Sequence, residues 1–249
     1  MSDYIRILGI KINKVDMGQA ISEVERYIRS DGKKYIVTAN SEMLVMAQED
    51  KDLARIINKS DLSVADGAGV VLASKLSRNS EEKLPERVAG FDILQNLLKL
   101  SSEKRYSIYL LGSKPGIIDI AAEKIRGIYP EIKIVGKHHG YLDNLNREEL
   151  IKKINSLEPD ILFVGMGVPL QEKFIYSNLD RLKVKVAMVV GGSFDVMAGQ
   201  MKRAPLWMQN LNLEWLYRLI QEPSRAGRMM ALPRFAYLVI KDKFLGDKT

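Results

Sequence analysis

Short apolar runs that stop at polar or glycine-rich tips recur along this chain, and a stretch with helical spacing follows most of them. The opening, residues 4–15, alternates Ile5, Ile7, Ile10 and Ile12 around Gly9, which predicts a strand pair at a sheet edge. Asp16 then caps a helix to Ile28, with Ala20, Ile21, Val24 and Ile28 on one face. A strand over 35–40 ends in Thr38 and Asn40, and helices follow from Ser41 to about Asn58. The strand 62–65 runs into Asp66, Gly67-Ala68-Gly69 and a helix over 70–76. A Lys- and Glu-rich loop, 77–86, mobile by its composition, leads to Arg87-Val88-Ala89-Gly90 and a helix over 91–100. Strands over 106–111, 132–135, 160–164 and 184–190 then alternate with helices over 117–128 and 147–156, a βαβ rhythm that predicts a parallel sheet. Beyond Gly199 the texture changes. A helix from Arg203 to Ile220 carries both tryptophans, Glu222-Pro223 breaks it, and a last apolar helix covers 233–245. The expected organisation is an α/β domain over 1–198 with a small helical appendage over 199–249.

The strand tips carry the candidate chemistry. In an open α/β sheet, ligands sit in the crevice beyond the carboxyl ends of the strands. Asp66 at such a tip can act as a general base or grip a substrate hydroxyl, or it can simply cap the next helix. Thr38 and Asn40 repeat the pattern one strand earlier, and together the two tips form a polar floor beyond what capping requires. Three later strand ends carry glycine turns, at Gly112-Ser113, Gly165-Met166-Gly167 and Gly191-Gly192. Backbone N–H groups exposed at such turns bind phosphate, although glycines there also serve close packing. Three in one sheet favour a nucleotide or sugar-nucleotide site. None fits the dinucleotide fingerprint or the P-loop, so an oxidoreductase built on a nicotinamide cofactor lacks its signature. Gln171-Glu172-Lys173, in the helix start after Pro169, can point at the crevice or form a solvated helix start. Arg87, at the end of the polar loop, can close over an anionic ligand, a surface ion pair being its other fate. Asp50-Lys51-Asp52 spells a D-x-D but follows a helix rather than a strand, and reads as first-turn charge favoured by the helix dipole.

Composition narrows the classes. The chain has no cysteine and two adjacent histidines, His138 and His139, so no disulfide, thiolate site or histidine metal cluster is expected. No run of 18 apolar residues is present, and the N-terminus lacks the apolar core of a signal peptide, which together predict an intracellular protein. Residues 199–249 hold nine Lys or Arg against four acids, a net +5 out of the chain's +7. A basic, aromatic-rich end points to an anionic partner: a membrane surface, a phosphate or nucleic acid. Against nucleic acid, the apolar helix faces of this end are too continuous for base contacts alone.

The ordered set of motifs resembles the WecG/TagA/CpsF glycosyltransferases, glycosyltransferase family 26, over nearly the whole chain. It comprises Thr38-Ala39-Asn40, Ala65-Asp66-Gly67, Arg87-Val88-Ala89-Gly90, Leu111-Gly112-Ser113 and Gly165-Met166-Gly167-Val168-Pro169-Leu170-Gln171-Glu172. Later come Gly191-Gly192-Ser193-Phe194-Asp195, Arg203-Ala204-Pro205, Leu213-Glu214-Trp215-Leu216-Tyr217-Arg218, Glu222-Pro223, Arg225 and Arg228. The resemblance implies a GT-E fold, a Rossmann-like, mostly parallel sheet flanked by helices with a C-terminal appendage. It implies an inverting, metal-independent enzyme with no cofactor. Such an enzyme moves N-acetylmannosamine from its UDP derivative to the 4-hydroxyl of N-acetylglucosamine on undecaprenyl diphosphate, as in wall teichoic acid linkage-unit synthesis. Other members use the uronic acid of that sugar or another hexose. On this footing Asp66 is the base, Arg87 holds charge near the donor, and Thr38, Asn40 and Gln171 position the sugars. Gly112, Ser113, Gly165, Gly167, Gly191, Gly192 and Asp195 bind the donor, and Arg218, Arg225 and Arg228 grip a diphosphate. An unbroken helix would bring Arg218 and Arg225 to one face, and Pro223 between them can bend it. The appendage is expected to dock on the inner face of the cell membrane, leaving a cytoplasmic, peripheral enzyme; homo-oligomerisation is left open.

Overall fold

The computed structural model describes residues 3–76 and 83–245, apart from the side chains of Asn144, Arg225, Phe244 and Leu245. The expected polar loop therefore lies outside the described residues over 77–82. Six strands form one wholly parallel sheet: β3 (Lys34–Ala39), β4 (Leu62–Ala65), β5 (Ser107–Gly112), β6 (Lys133–His138), β7 (Ile161–Gly165) and β8 (Val186–Val189), in the order β4-β3-β8-β7-β5-β6. β1 (Tyr4–Ile7) and β2 (Ile10–Asn13) precede them. The central strands are buried on both faces, and the alternation of their side chains divides the core into two layers. Tyr35, Val37, Tyr109, Leu111, Leu162, Val164, Ala187 and Val189 face one layer. Ile36, Ile108, Leu110, Ile161, Phe163, Val186 and Met188 face the other.

Helices cover both layers. On the second side lie α1 (Met17–Arg29), α5 (Gly90–Lys104), α6 (Ile117–Ile128) and the short α9 (Ser193–Met197). On the first lie α2 (Ser41–Glu49), α3 (Lys51–Lys59), α4 (Ala68–Lys75), α7 (Asn144–Leu157) and α8 (Leu170–Asn178). The α/β architecture expected from the sequence is thus present, with element ends displaced by a few residues. Strand order reverses between β3 and β8, and such a reversal opens a crevice at the carboxyl ends of the strands beside it.

Two expectations are corrected. The N-terminal strands do not join the sheet edge. They form a separate antiparallel pair, turned at Leu8 and Gly9, both at positive φ (51° and 76°), and linked to β4 through the Asn13 side chain, whose Oδ1 accepts from Ser63 N at 2.8 Å. The helix expected over 203–220 is two helices, α10 (Leu206–Asn210) and α11 (Glu214–Gln221). Asn212 breaks it at φ +60°, a conformation Asn tolerates better than most residues. Pro223 then opens a 3₁₀ turn over Pro223–Arg225, so Arg218 and Arg225 stand on different elements rather than on one helix face. α12 (Ala226–Met229) and α13 (Ala231–Leu245) complete the chain, and α13 packs on α2 and α4, burying Phe235.

The glycines at three adjacent strand ends have a packing reason. A Cβ on Gly112, which sits at φ +145°, would stand 2.2 Å from the Gly165 carbonyl oxygen, and one on Gly165 would stand 2.6 Å from that of Gly191. Backbones of neighbouring tips occupy the space of the missing side chains. Gly112→Ala is expected to lower the unfolding free energy by about 2–3 kcal/mol, read from urea denaturation. Unfolding at the wild-type midpoint would show that the tips have room to spare.

Candidate active site

At the strand reversal the tips of β4, β3 and β8 open into a cavity of about 690 Å³, within the range of small-molecule sites. Thr38, Asn40, Asp66, Arg87, Gln171, Gly191 and Gly192 line its inner part, together with Lys202, Arg203, Glu214 and Arg218 from the C-terminal segment. Leu72 and Leu76 of α4, Leu211 and Trp215, and Val239 and Ile240 of α13 also line it, so one wall is apolar.

Asp66 does not cap the helix that follows it. Gly67 occupies the N-cap of α4 and provides no side-chain bond. Instead, the Asp66 Oδ1 accepts from the Gly90 N–H at 2.9 Å, at the start of α5, while its own N–H donates to the Ala39 carbonyl at 2.9 Å. The carboxyl is thereby fixed between two strand tips and a helix N-terminus. Burial pushes its pKa above the ordinary carboxylate value. The Gly90 N–H and the Arg87 and Arg218 guanidiniums pull it back, and Glu214 adds to the rise. A carboxylate raised in this way is a better proton acceptor near neutrality than a solvated one.

The neighbouring side chains are held in turn. Thr38 packs beneath Gly90, whose absent Cβ would stand 3.0 Å from the Thr38 methyl. The Asn40 Oδ1 caps α2 by accepting from Met43 N at 2.9 Å, and Asn40 lines the cavity. Gly69 lets the start of α4 approach that of α2, because a Cβ there would lie 2.4 Å from Ser41 Oγ. The N-termini of α2, α4 and α5 therefore surround Asp66 and favour negative charge in the cavity.

Arg87 donates from Nε to the Asp66 carbonyl at 2.8 Å, and its terminal nitrogen pairs with Glu214. Glu214 also receives Arg203 Nε at 3.3 Å, and Arg203 forms a second, two-pronged pair with Asp92 of α5 at 2.6 and 2.8 Å. Its guanidinium stacks over Phe91, 5.0 Å from the ring centre. This network ties the C-terminal segment to the sheet domain beside Asp66. Sequence reasoning singled out neither Glu214, Arg203 nor Asp92 as site residues. One signal was present: Glu214 is the sole acid between Gly199 and Gln221.

The remaining expected site residues fall elsewhere. Gly112, Ser113, Gly165, Gly167 and Asp195 do not line the cavity. Ser113 Oγ donates to Asp195 Oδ1 at 2.6 Å, joining the tips of β5 and α9. Arg228 pairs with Glu42 at 3.8 Å and is outside the lining, and the Arg225 side chain lies outside the described residues. Asp50 and Asp52 are committed as the sequence suggests. Asp50 caps α3 through Leu53 N at 2.9 Å and pairs with Lys173 at 2.6 Å, and Asp52 pairs with Arg55 at 2.9 Å. Among the described residues no group of three or more His, Cys, Asp or Glu is placed to hold a metal ion.

Comparison with known proteins adds to this geometry. The model of the "Glycosyl transferase WecG/TagA/CpsF family" matches residues 5–249. The chain is similar to the N-acetylglucosaminyldiphosphoundecaprenol N-acetyl-beta-D-mannosaminyltransferase of Bacillus subtilis (strain 168), at 39% identity over 88% of this chain and 84% of that protein. It is similar to the protein of the same description from Staphylococcus aureus (strain MW2), at 34% identity over 96% of this chain and 93% of that one.

Removing the shared carboxylate tests the network. Glu214→Ala leaves Arg87 and Arg203 without their common partner in a partly buried place and is expected to lower stability by about 1–2 kcal/mol. Limited proteolysis should then cut the segment beyond Gly199 faster than in the wild type. An unchanged urea midpoint and cleavage rate would mean that the segment is held by α13 alone.

Proposed function

The chain belongs to the WecG/TagA/CpsF glycosyl transferase family, and from that premise we propose that it moves N-acetylmannosamine from UDP-N-acetylmannosamine to the 4-hydroxyl of N-acetylglucosamine on undecaprenyl diphosphate. The observation that carries this reading is a half-buried carboxyl with a raised pKa, fixed by the Gly90 N–H at a strand tip in a cavity lined by both cationic and apolar side chains.

In this reading Asp66 takes the proton of the acceptor 4-hydroxyl while that oxygen attacks the anomeric carbon from the face opposite UDP. The new C–O bond forms as the bond to the UDP oxygen breaks, in one displacement with inversion. Negative charge gathers on the departing diphosphate. Arg87, Arg218 and Lys202 and the N-termini of α2, α4 and α5 stabilise that charge, the work a metal does in other transferases. Thr38, Asn40 and Gln171 supply the short polar contacts that hold the sugars. The apolar wall accommodates the lipid end of the acceptor.

The C-terminal segment serves the same substrate. Among the described residues no helix is long and apolar enough to cross a membrane. Yet Leu206, Trp207 and Ile220 are 60–74% exposed on α10 and α11, in a segment with a strong basic excess. Short helices of this kind lie in the interfacial layer, with apolar side chains in lipid and Lys or Arg near anionic headgroups. Docking in this way brings the cavity to the headgroup depth at which a lipid-linked diphosphate resides.

Transfer from a panel of UDP-sugars to a lipid-linked N-acetylglucosamine tests the reaction. UDP-N-acetylmannosamine should be the best donor, and EDTA should leave the rate unchanged. Asp66→Asn should keep UDP binding and the fold while turnover drops by about 10²–10⁴. Near-normal turnover in that variant would remove Asp66 from the role of base, and EDTA inhibition rescued by Mg²⁺ would remove the metal-free mechanism.

Docking is tested separately. The wild type should sediment with vesicles containing anionic lipid, more weakly as salt rises. Replacing Leu206, Trp207 and Ile220 together by serine should weaken this at least about tenfold, since each loses an apolar side chain from the lipid. Undiminished sedimentation of the triple variant would place the docking surface elsewhere.

A further inference from the structure

One buried acid takes no part in the scheme above. Glu172, in the first turn of α8, is fully buried, and its Oε2 has no hydrogen-bond partner among the described residues. Its Oε1 accepts from Gln171 Nε2 at 2.7 Å. Gln171, itself buried at the cavity wall, accepts at its Oε1 from the Gly191 N–H at 3.1 Å. The Gly191 N–H can only donate and so fixes which end of the amide is oxygen, and an acceptor at Glu172 fixes the other end as nitrogen. One N–H of Gln171 is then left for the cavity. Without an acceptor at position 172, the Gly191 N–H alone would hold the amide, and a rotated amide would turn an oxygen toward a phosphate or sugar oxygen.

We propose that Glu172 is a positioning residue: its carboxyl locks the Gln171 amide so that the cavity receives an N–H donor, the group that a diphosphate or sugar oxygen needs. The proposal rests on the glycosyl-transfer reading for its consequence in catalysis but not for the hydrogen-bond geometry. An interior oxygen without a partner is destabilising, and an apolar side chain of similar size would be the more stable occupant. Burial moves the Glu172 pKa from 4.5 to about 7, so the acid is largely neutral in mildly acidic solution and ionises around neutral pH. Nearby charges are engaged elsewhere: Lys173 of α8 pairs with Asp50 at the start of α3, and Asp195 accepts from Ser113. The acids that line the cavity, Asp66, Glu42 and Glu214, belong to the Gly90, Arg228 and Arg87 contacts. Because the folded pKa lies above the ordinary value, ionisation of Glu172 withdraws stability progressively as pH rises from about 4.5 through about 7.

Two variants and two readouts test this. Glu172→Gln keeps an acceptor without a charge, and Glu172→Leu removes the acceptor. The Leu variant should melt at a higher temperature than the wild type yet turn over at least about tenfold more slowly, with KM for the donor changed less than kcat. The Gln variant should stay within about threefold of the wild-type rate at pH 6.5. In the free protein, the Gln171 side-chain NH₂ signals, assigned by their loss in Gln171→Met, should shift with a midpoint near pH 7 in the wild type and stay fixed in the Gln variant. A Leu variant with wild-type kcat, or Gln171 signals that ignore pH and both substitutions, overturns the proposal. Should the Leu variant not fold, the amide signals of the Gln variant decide alone. Wild-type protein that transfers no sugar while showing the expected amide titration would sink the glycosyl-transfer reading and leave the Gln171 lock standing.

Discussion

The hydrogen bond from the Gly90 N–H to the Asp66 carboxylate ties the tip of β4 to the start of α5, and the cavity is assembled around it. It determines where Arg87 emerges, three residues before Gly90, so that its Nε reaches the Asp66 carbonyl and its terminal nitrogen reaches Glu214. It also presses Gly90 onto Thr38, which makes the two strand tips a single floor. A side chain at position 90 would part them. Asp66 is therefore restrained and desolvated by the same contacts, which is how a carboxyl can be both well placed and raised in pKa.

Much of this was legible in the sequence because a parallel sheet leaves a simple imprint. Buried strands are short apolar runs, and their tips are where polar residues can appear without disturbing the core. Hence Thr38, Asn40 and Asp66 stood out, and the structure brings them to one cavity with Arg87, Gln171, Gly191, Gly192 and Arg218. Local pattern was less informative at Gly112, Ser113, Gly165, Gly167 and Asp195. Glycines that receive a phosphate and glycines that admit a neighbouring backbone look alike in a sequence, and here close approach explains Gly112 and Gly165. The break at Asn212 was hidden because nothing but a left-handed backbone distinguishes it from a helical Asn. The partners of Arg87 and Arg203 were hidden for another reason: they are set by how two distant segments meet, which no periodicity encodes.

The charge balance of the C-terminal segment takes on a different meaning once its contacts are known. Arg203 is spent on Asp92 and Glu214, Arg228 pairs with Glu42, and Arg234 with Glu49. Three of the nine basic residues thus dock the segment on the sheet domain. Arg218 and Lys202 line the cavity, as Arg203 also does. The basic excess is divided between holding the segment and lining the cavity, and only the remainder can act on a surface outside the molecule.

This division bears on where the functional unit ends. Composition changes at Gly199, and a boundary drawn there separates a sheet domain from an appendage. The site ignores that boundary. Arg87 comes before it and its carboxylate partner after it, and the polar floor belongs to β3 and β4 while the apolar wall is shared by α4, α11 and α13. On the proposed reaction, a soluble donor and a lipid-linked acceptor would make opposite demands on a cavity, one for oriented dipoles and cations, the other for hydrocarbon. The sheet end supplies the first, because strand tips and helix N-termini converge there. Trp215 of α11 and Val239 and Ile240 of α13 add apolar surface to the same cavity. A chain that kept only the sheet domain would retain Asp66 and its hydrogen bond to Gly90, but Arg87 would lack the carboxylate that aims it and the cavity would lack the apolar side chains of α11 and α13.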